Sequence, residues 1–334
     1  REPHIMGTMT PTFRDLIAEN KRNSVLLVLI FCLFTTAVAL ILALGVAAAS
    51  DPEAIAHLHW GEALAAGGIA AAVALLFSLI GYYSGDQFIL ATSGARPIRH
   101  ADDPELFNVV EEMSIAAGVP MPAVYLIRDP ALNAFATGRD PQHASVAITT
   151  GLRHNLTRDE LQGVIAHEMS HIRNYDIRLM LLMAVLVGTV VMLSDFFWQI
   201  TRSGGWSGGG RRKRDSKDEG GNGWIVLIVF ILAAVLALIA PFLAQIIQFA
   251  VSRQREYLAD ATAVELTRYP QGLANALRKL QGDAAVLKTA NRGTAHLFIA
   301  NPIKKFQDRA ESVFASHPPL KDRIARLDAL VHAA

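Results

Sequence analysis

Four long apolar stretches separate the polar parts of the chain. Residues 24–49 and 63–83 contain no charged side chain, and residues 179–198 and 224–252 are apolar with few interruptions. A helix rises about 1.5 Å per residue, so about 20 residues can cross the roughly 30 Å of hydrocarbon in a bilayer. The pattern therefore predicts a mostly α-helical integral membrane protein with four transmembrane helices.

Basic residues predict how these helices are oriented. Residues 21–22 are Lys and Arg just before the first stretch, and two arginines lie within residues 96–99 after the second. The positive-inside rule therefore places both flanks in the cytoplasm. The third stretch is interrupted by Asp195, and the connector after it is basic and rich in glycine. A buried or cytoplasmic helical hairpin is therefore an alternative to two further spans.

The apolar stretches also define the predicted domains. The first eight residues precede a second methionine at Met9 and are interpreted as a non-native addition. The predicted order is an N-terminal tail at 1–23, transmembrane helices at 24–49 and 63–83, a first soluble part at 84–178, a transmembrane helix at 179–198, a basic glycine-rich loop at 199–223, a transmembrane helix at 224–252 and a second soluble part at 253–334.

The first soluble part carries local signals of a small α+β domain. Asp103, followed by proline, predicts a helix N-cap, and Gly118 is typical of the residue after a helix end. Residues 123–128 and 144–150 are predicted strands. We therefore expect a small β-sheet packed against helices beside the membrane.

Composition limits the chemistry that the chain can perform. The sequence is 52% hydrophobic with a formal net charge of +1, and its mean hydropathy is +0.30. A nearly neutral chain gives no electrostatic reason to expect a nucleic-acid partner. Cys32 is the only cysteine, which excludes an intramolecular disulfide and a cysteine-based zinc site. Any metal would need histidine and carboxylate ligands.

An H-E-x-x-H motif supplies two such histidines. Thr157 and Glu160 form a capping box, which predicts the start of a helix that carries His167, Glu168 and His171. Histidines four residues apart project from one helix face and can share a Zn²⁺, while the glutamate between them can reach a metal-bound water. The motif predicts a metal site with a general base beside it.

A catalytic zinc has three protein ligands, so the third must come from elsewhere in the chain. Glu256 is the best candidate, and Asp260 lies one helical turn further on the same face. Asp260 could then accept the N–H of a ligating histidine. The alternative, that Glu256 only pairs with the neighbouring arginines on a solvated helix, remains open from spacing alone.

Several motifs taken together resemble one known family. They are HEMSH at 167–171 with Asn174 and Asp176 downstream, SRQREYLAD at 252–260, HLFIANP at 296–302 and SHPPLKDRI at 316–324. In this combination they are similar to the HtpX-type membrane zinc metalloproteases, which belong to the same gluzincin family as the CAAX prenyl proteases. The resemblance extends over nearly the whole native chain and implies that the two soluble parts form one α+β gluzincin-type protease domain.

The resemblance implies a role for each candidate residue. His167, His171 and Glu256 would bind one Zn²⁺ per subunit, Glu168 would be the general base, and Asp260 would support a ligand. It also suggests that His317 stabilises the oxyanion and that Arg323 contacts Glu256. For His317, a structural role at the start of the last helix is the alternative.

A possible substrate strand lies just upstream of the metal helix. Asn133, Ala134 and Phe135 precede the predicted strand at 144–150. An exposed strand edge beside the metal could bind an extended peptide by β-augmentation, as the family resemblance also implies. An ordinary hairpin with a polar turn is the alternative.

The resemblance implies a function in protein quality control and the stress response. The expected enzyme is an endopeptidase of the bacterial inner membrane that cleaves damaged or misfolded membrane proteins at the cytoplasmic face. Its expected partners are polypeptides and the lipid bilayer. A prenyl-protein endopeptidase is one alternative, although four apolar stretches are few for its large chamber. A membrane scaffold with a vestigial metal site is another, although a structural zinc would have a fourth protein ligand.

Overall fold

The computed structural model describes residues 17–30, 32, 33, 36, 60–186, 253–283, 285, 287, 297–300 and 318–333. The predicted loop at 199–223, the fourth predicted span and most of the first and third lie outside the described residues. His317 also lies outside them.

Seven helices and four strands have defined bounds in these segments. The helices are α1 Trp60–Thr92, α2 Pro104–Ala117, α3 Thr150–Asn155, α4 Arg158–Arg173, α5 Arg253–Thr267, α6 Pro270–Gly282 and α7 Leu320–Ala333. The strands are β1 Ala95–Pro97, β2 Ala123–Ile127, β3 Ala134–Gly138 and β4 Ala144–Thr149. Residues 17–30 and 176–186 are also helical.

The four strands form one mixed sheet in the order β1-β2-β4-β3. β2 and β4 are parallel, with Tyr125 opposite Ala147, whereas β1 and β3 are antiparallel to their neighbours. β3 is therefore an edge strand. Its register pairs Ala136 with Val146.

The local helix signals act as the sequence predicts. Asp103 caps α2 by accepting a hydrogen bond from the Leu106 N–H, and Gly118 follows the helix in the left-handed conformation with φ 67°. Thr157 and Glu160 form a reciprocal capping box at the start of α4. These caps satisfy backbone groups that a helix end leaves unpaired.

Helix α4 lies in the centre of the main hydrophobic core. Leu161, Val164, Ile165, Met169 and Ile172 of this helix are almost fully buried and belong to one cluster with residues of the sheet and of α2, α5, α6 and α7. A helix buried on nearly all sides is held rigidly, because core side chains interlock at crystal-like density. The metal-binding motif is thus placed on a fixed element.

Helix α1 is suited to cross a membrane. Within the described residues, Gly67–Thr92 is the one helix that is long and apolar enough, with mean hydropathy 1.6 and only 19% of its most apolar window buried in the protein. It corresponds to the second predicted span, but the helix continues from Tyr83 to Thr92. Ile89 and Leu90 explain the extension, since both are buried in a cluster that includes Phe135 of the sheet.

Two further apolar helical segments pack together beside α1. Leu27 of the segment 17–30 forms a buried cluster with Leu179, Leu182 and Met183 of the segment 176–186. The first helix therefore begins at least seven residues before the predicted span at 24, and the third predicted span begins inside this cluster. Of the four predicted spans, the described residues supply one complete candidate.

Candidate active site

The two motif histidines project from one face of α4. His167 and His171 are 1% and 5% exposed, and their Nε2 atoms are 3.2 Å apart. Spacing of four residues brings them together because one helical turn takes 3.6 residues. The capping box fixes where the helix begins, and the surrounding core fixes its rotation.

Glu256 reaches the same point from α5. Its Oε2 is 3.7 Å from His167 Nε2, and its Oε1 is 3.6 Å from His171 Nε2. Ligand atoms bound about 2.0–2.1 Å from a tetrahedral Zn²⁺ lie roughly 3.3 Å from one another. The three side chains therefore have the spacing of a three-ligand metal site, and together they form a buried cluster of possible metal ligands.

Two aspartates determine which histidine nitrogens face the centre of the site. Asp260 Oδ1 is 3.0 Å from His167 Nδ1, and Asp176 Oδ2 is 3.0 Å from His171 Nδ1. A carboxylate accepts an N–H, so each Nδ1 is assigned a proton and each neutral Nε2 carries a lone pair. Two Nε2 atoms 3.2 Å apart must share a cation, which is either a proton carried by His171 or a metal ion. The donor set thus fits a metal ion.

The charge of the buried site also fits a cation. Four buried carboxylates face two guanidinium groups, so an excess of two negative charges remains when all four are ionised and both histidines are neutral, as metal ligands must be. The carboxylates are Glu168, Asp176, Glu256 and Asp260, and the guanidiniums are those of Arg255 and Arg323. Buried charges need partners, and a divalent cation would balance this excess.

Arg323 of α7 connects the metal ligands to the rest of the domain. It is fully buried and forms two short hydrogen bonds to Asp260, from Nε at 2.8 Å and from Nη2 at 2.6 Å. Its Nη1 lies 3.4 Å from Glu256 Oε2 and donates to the Ile299 carbonyl at 3.2 Å. Burial would lower the pKa of Arg323, but the charge of Asp260 raises it above its ordinary value. The guanidinium therefore stays charged.

The ionisable groups of the site are strongly perturbed. Burial lowers the pKa of His167 to about 4, with a further contribution from the charge of Arg323. Burial would also lower the pKa of His171, but the hydrogen bond to Asp176 and the charge of Glu256 raise it to about 9. Burial raises the pKa of Asp260, yet the charge of Arg323 and the hydrogen bonds from His167 and Arg323 together outweigh it and hold the value at about 2. Neighbouring groups with such opposed shifts are typical of functional sites.

Glu168 lies between the histidines and the sheet. Burial raises the pKa of its carboxyl group to about 7, with Glu256 raising it and His171 lowering it. The backbone N–H of Ala136 on β3 also lowers this pKa. A pKa near neutrality suits a group that both takes and returns a proton.

The edge of β3 is partly occupied by residues 297–300. Ala134 accepts a hydrogen bond from the Ile299 N–H at 2.9 Å, and the Asn133 side chain donates to the Ala300 carbonyl at 3.0 Å. Phe135 packs edge-to-face against Phe298 with ring centroids 5.0 Å apart. The backbone groups of Ala134 and Ala136 share the outer edge because every second residue of an antiparallel strand faces outwards.

Sequence reasoning assigned no role to Asp176 or Asn20. Asp176 follows α4 beyond a turn in which Tyr175 has φ 60°, a conformation that spacing rules do not anticipate. Asn20 belongs to the helical segment at 17–30 and donates to Asp176 Oδ1 at 2.6 Å. The only signal for Asp176 was its place in the motif that carried the family resemblance.

Comparisons with known proteins all point to one family of proteases. The profile described as Peptidase family M48 matches residues 100–331. A "Protease HtpX homolog" of Caldanaerobacter subterraneus subsp. tengcongensis is 43% identical over 96% of this chain and 98% of that protein. One of Levilactobacillus brevis is 42% identical over 94% of this chain and 98% of its own length, and one of Listeria monocytogenes is 40% identical over 94% and 98%.

Among solved structures, the crystal structure of S. mikatae Ste24p has a TM-score of 0.46 and 21% identity, and the match covers 77% of this chain and 57% of that one. The profile match covers more than half of the chain, and the relatives align with it almost from end to end. The residues matched by the profile include α4 and α5, the helices that carry the buried metal-binding cluster. The chain therefore belongs to peptidase family M48 and is a metalloprotease.

Proposed function

We propose that the protein is a zinc endopeptidase that cleaves damaged or misfolded membrane proteins at the cytoplasmic face of a bacterial inner membrane. The observation that carries this proposal is the approach of three potential ligands, His167, His171 and Glu256, with a buried carboxylate, Glu168, beside them. Two imidazoles and one carboxylate are a common ligand set for catalytic zinc.

Zinc would supply the electrophile of the reaction. When bound, Zn²⁺ lowers the pKa of a bound water toward about 7 and polarises the scissile carbonyl. The two imidazoles and Glu256 would hold it, and Asp176 and Asp260 would keep each imidazole in the ligating orientation. No fourth ligand appears among the described residues of this cluster, which leaves a position for water.

Glu168 would act as the general base. It takes a proton from the attacking water and later passes this proton to the leaving amine, so the reaction needs no covalent intermediate with the protein. The backbone of Ala136 contributes to the pKa of Glu168, which supports this role because β3 is the strand where we propose that substrate binds.

Two further residues would stabilise the reacting groups. We assign His317 to the oxyanion of the tetrahedral intermediate, on the basis of the family resemblance and of its position three residues before α7. Arg323 would hold Glu256 and Asp260 in place from the same helix. Its short contacts to both carboxylates support this second assignment.

The substrate would add as a strand to the edge of β3. Asn133, Ala134 and Phe135 form the first part of this edge, where residues 297–300 already contribute one backbone hydrogen bond. The Ala136 N–H faces Glu168, so the carbonyl of Ala136 on the same edge would be the first backbone group available to a peptide. All of β3 is buried, so binding requires a movement that uncovers this edge. Main-chain pairing would give affinity with little dependence on substrate sequence, which suits a quality-control protease.

Metal analysis combined with a Glu168→Gln substitution tests the proposal. The purified wild-type protein should contain one zinc per chain and hydrolyse casein or itself. Glu168→Gln should retain zinc, because its ligands remain, and should lose activity by about 10²- to 10⁴-fold, the usual contribution of a general base. Asp159→Asn makes the same chemical change at an exposed site on the same helix and should leave activity unchanged. Full activity of Glu168→Gln would refute the mechanism.

A further inference from the structure

Asn20 makes a buried polar contact between the N-terminal helical segment and the metal centre. The residue is 2% exposed, and its Nδ2 donates to Asp176 Oδ1 at 2.6 Å and to the Asn174 carbonyl at 2.8 Å. Both partners are acceptors, which fixes the orientation of the amide with its nitrogen towards them. The segment 17–30 thus contributes a donor to residues more than 150 positions away.

Asp176 transmits this contact to a metal ligand. Its other oxygen, Oδ2, is 3.0 Å from His171 Nδ1. Asp176 follows the turn at Tyr175, whose positive φ of 60° separates α4 from the helical segment 176–186. One carboxylate oxygen is therefore held by Asn20 and the other orients the imidazole of His171.

We propose that Asn20 is a positioning residue of the metal centre, which it stabilises by fixing the Asp176 carboxylate that orients His171. The inference rests on the proposed zinc site. Carboxylates that hold a ligating histidine raise its basicity and fix its tautomer, and their loss weakens metal binding. A residue that donates a hydrogen bond to such a carboxylate, as Asn20 does to Asp176, should strengthen metal binding indirectly. The N-terminal helical segment would then be part of the metal site.

Other contacts of this helix are separate from the polar one. Lys21 Nζ lies 4.5 Å from the centre of the Tyr175 ring, and Leu27 is buried against Leu179, Leu182 and Met183. These contacts can dock the helix without Asn20. The Asn20 Oδ1 atom is buried and has no hydrogen-bond partner, which is unfavourable for stability. If Asn20 served only to dock the helix, an apolar side chain would do so without burying an unpaired oxygen. The asparagine therefore indicates a polar role.

Substitution of Asn20 by leucine removes the donor and keeps the same branched arrangement of side-chain heavy atoms. We expect Asn20→Leu in the full-length, detergent-purified protein to bind Zn²⁺ about 10-fold more weakly in competition with a chelator, the lower end of the range for residues that orient ligands. The visible spectrum of the cobalt-loaded variant should also change, because it reports ligand geometry. Leu27→Ala is the control, since it weakens docking of the same helix and should lower thermal stability without changing the cobalt spectrum.

A double-mutant cycle with Asp176→Asn separates positioning from docking. If Asn20 acts through Asp176, the two losses in zinc affinity are not additive, because the second substitution removes an interaction that is already gone. Unchanged zinc affinity in Asn20→Leu, or additive losses in the cycle, would overturn the inference. Asn20→Ala repeats the test with a smaller side chain if the leucine variant does not fold. Absence of zinc from the wild-type protein would instead refute the proposed function itself.

Discussion

Glu256 is the single carboxylate that completes the metal-binding cluster within the described part of the chain. It approaches both histidine Nε2 atoms at 3.6–3.7 Å from a separate helix. We predict that Glu256→Ala loses both zinc and activity, because two histidines alone hold the ion weakly. Zinc content of the purified protein measures this directly. Glu265→Ala, at an exposed position of the same helix, should retain both, and stoichiometric zinc in Glu256→Ala would mean that another residue is the third ligand.

Asp260 has two partners, and its substitution should therefore have two separable effects. We predict that Asp260→Ala weakens zinc affinity by about 10- to 100-fold, because His167 loses the acceptor for its Nδ1–H. The same change leaves the buried Arg323 without its main counter-charge, which typically costs 3–5 kcal/mol of stability.

The double variant Asp260→Ala with Arg323→Met distinguishes these effects. It removes the unpaired charge, so its thermal stability should exceed that of Asp260→Ala, while its zinc affinity should remain low. Recovery of zinc affinity in the double variant would show that Asp260 acts on the metal only through folding.

At the residue scale, sequence spacing predicts which side chains lie on the same face of one helix. Two histidines four apart share a helix face in any regular helix, so His167 and His171 could be chosen from spacing. Glu256 and Asp260 also share a face, but their assignment to the metal site needed the family resemblance. Asp176 could not be chosen from spacing, since it reaches His171 only through a left-handed turn. Its partner Asn20 lies in the segment that was predicted only as an N-terminal tail before the first span.

At the element scale, the metal helix is placed by a close approach of two backbones. A Cβ on Gly163 of α4 would lie 2.6 Å from the Leu273 backbone nitrogen of α6. Glycine in a helix interior costs about 0.5–1 kcal/mol relative to alanine, so this glycine serves packing and not helix formation. The contact sets the distance at which α6 supports the motif.

Gly163→Ala should therefore destabilise the protein in spite of its better helix propensity. We expect a loss of about 1–3 kcal/mol, the usual effect of overpacking, seen as a lower midpoint in thermal unfolding. Gly282→Ala is the matched control, because nothing lies within 4 Å of a Cβ there. A stabilised Gly163→Ala would show that α4 and α6 can separate without cost.

The elements that sequence predicted well are those with local signals. Caps fixed α2 and α4, and alternation gave β2 and β4 within one residue. The extent of α1 was underestimated, since its last turns contain polar residues yet pack on the protease domain through Ile89 and Leu90. Residues 297–300 lie beside β3 through long-range contacts, namely hydrogen bonds to Asn133 and Ala134 and the packing of Phe298 on Phe135, which have no local signature.

At the scale of the whole molecule, the site joins two parts of the chain that flank the third and fourth apolar stretches. His171 lies a few residues before the third stretch, and Glu256 lies a few residues after the fourth. The side chains meet within 3.6 Å, so both must be on one side of the membrane. The chain between them must then cross the membrane an even number of times, either twice or not at all.

The location of the loop at 199–223 decides between these two topologies. The length and apolarity of residues 224–252 favour two crossings, which would place the loop outside the cell. The basic residues of the loop instead favour a cytoplasmic location. We expect two crossings, since an apolar hairpin of this size would expose a large hydrophobic patch to water.

Ser207→Cys in a Cys32→Ser background should then react with a membrane-impermeant thiol reagent in intact cells. Ile115→Cys, at a position that is 74% exposed on α2, should react only after permeabilisation, because we place the protease domain in the cytoplasm. If Ser207→Cys also stays unlabelled until permeabilisation, the third and fourth stretches do not cross.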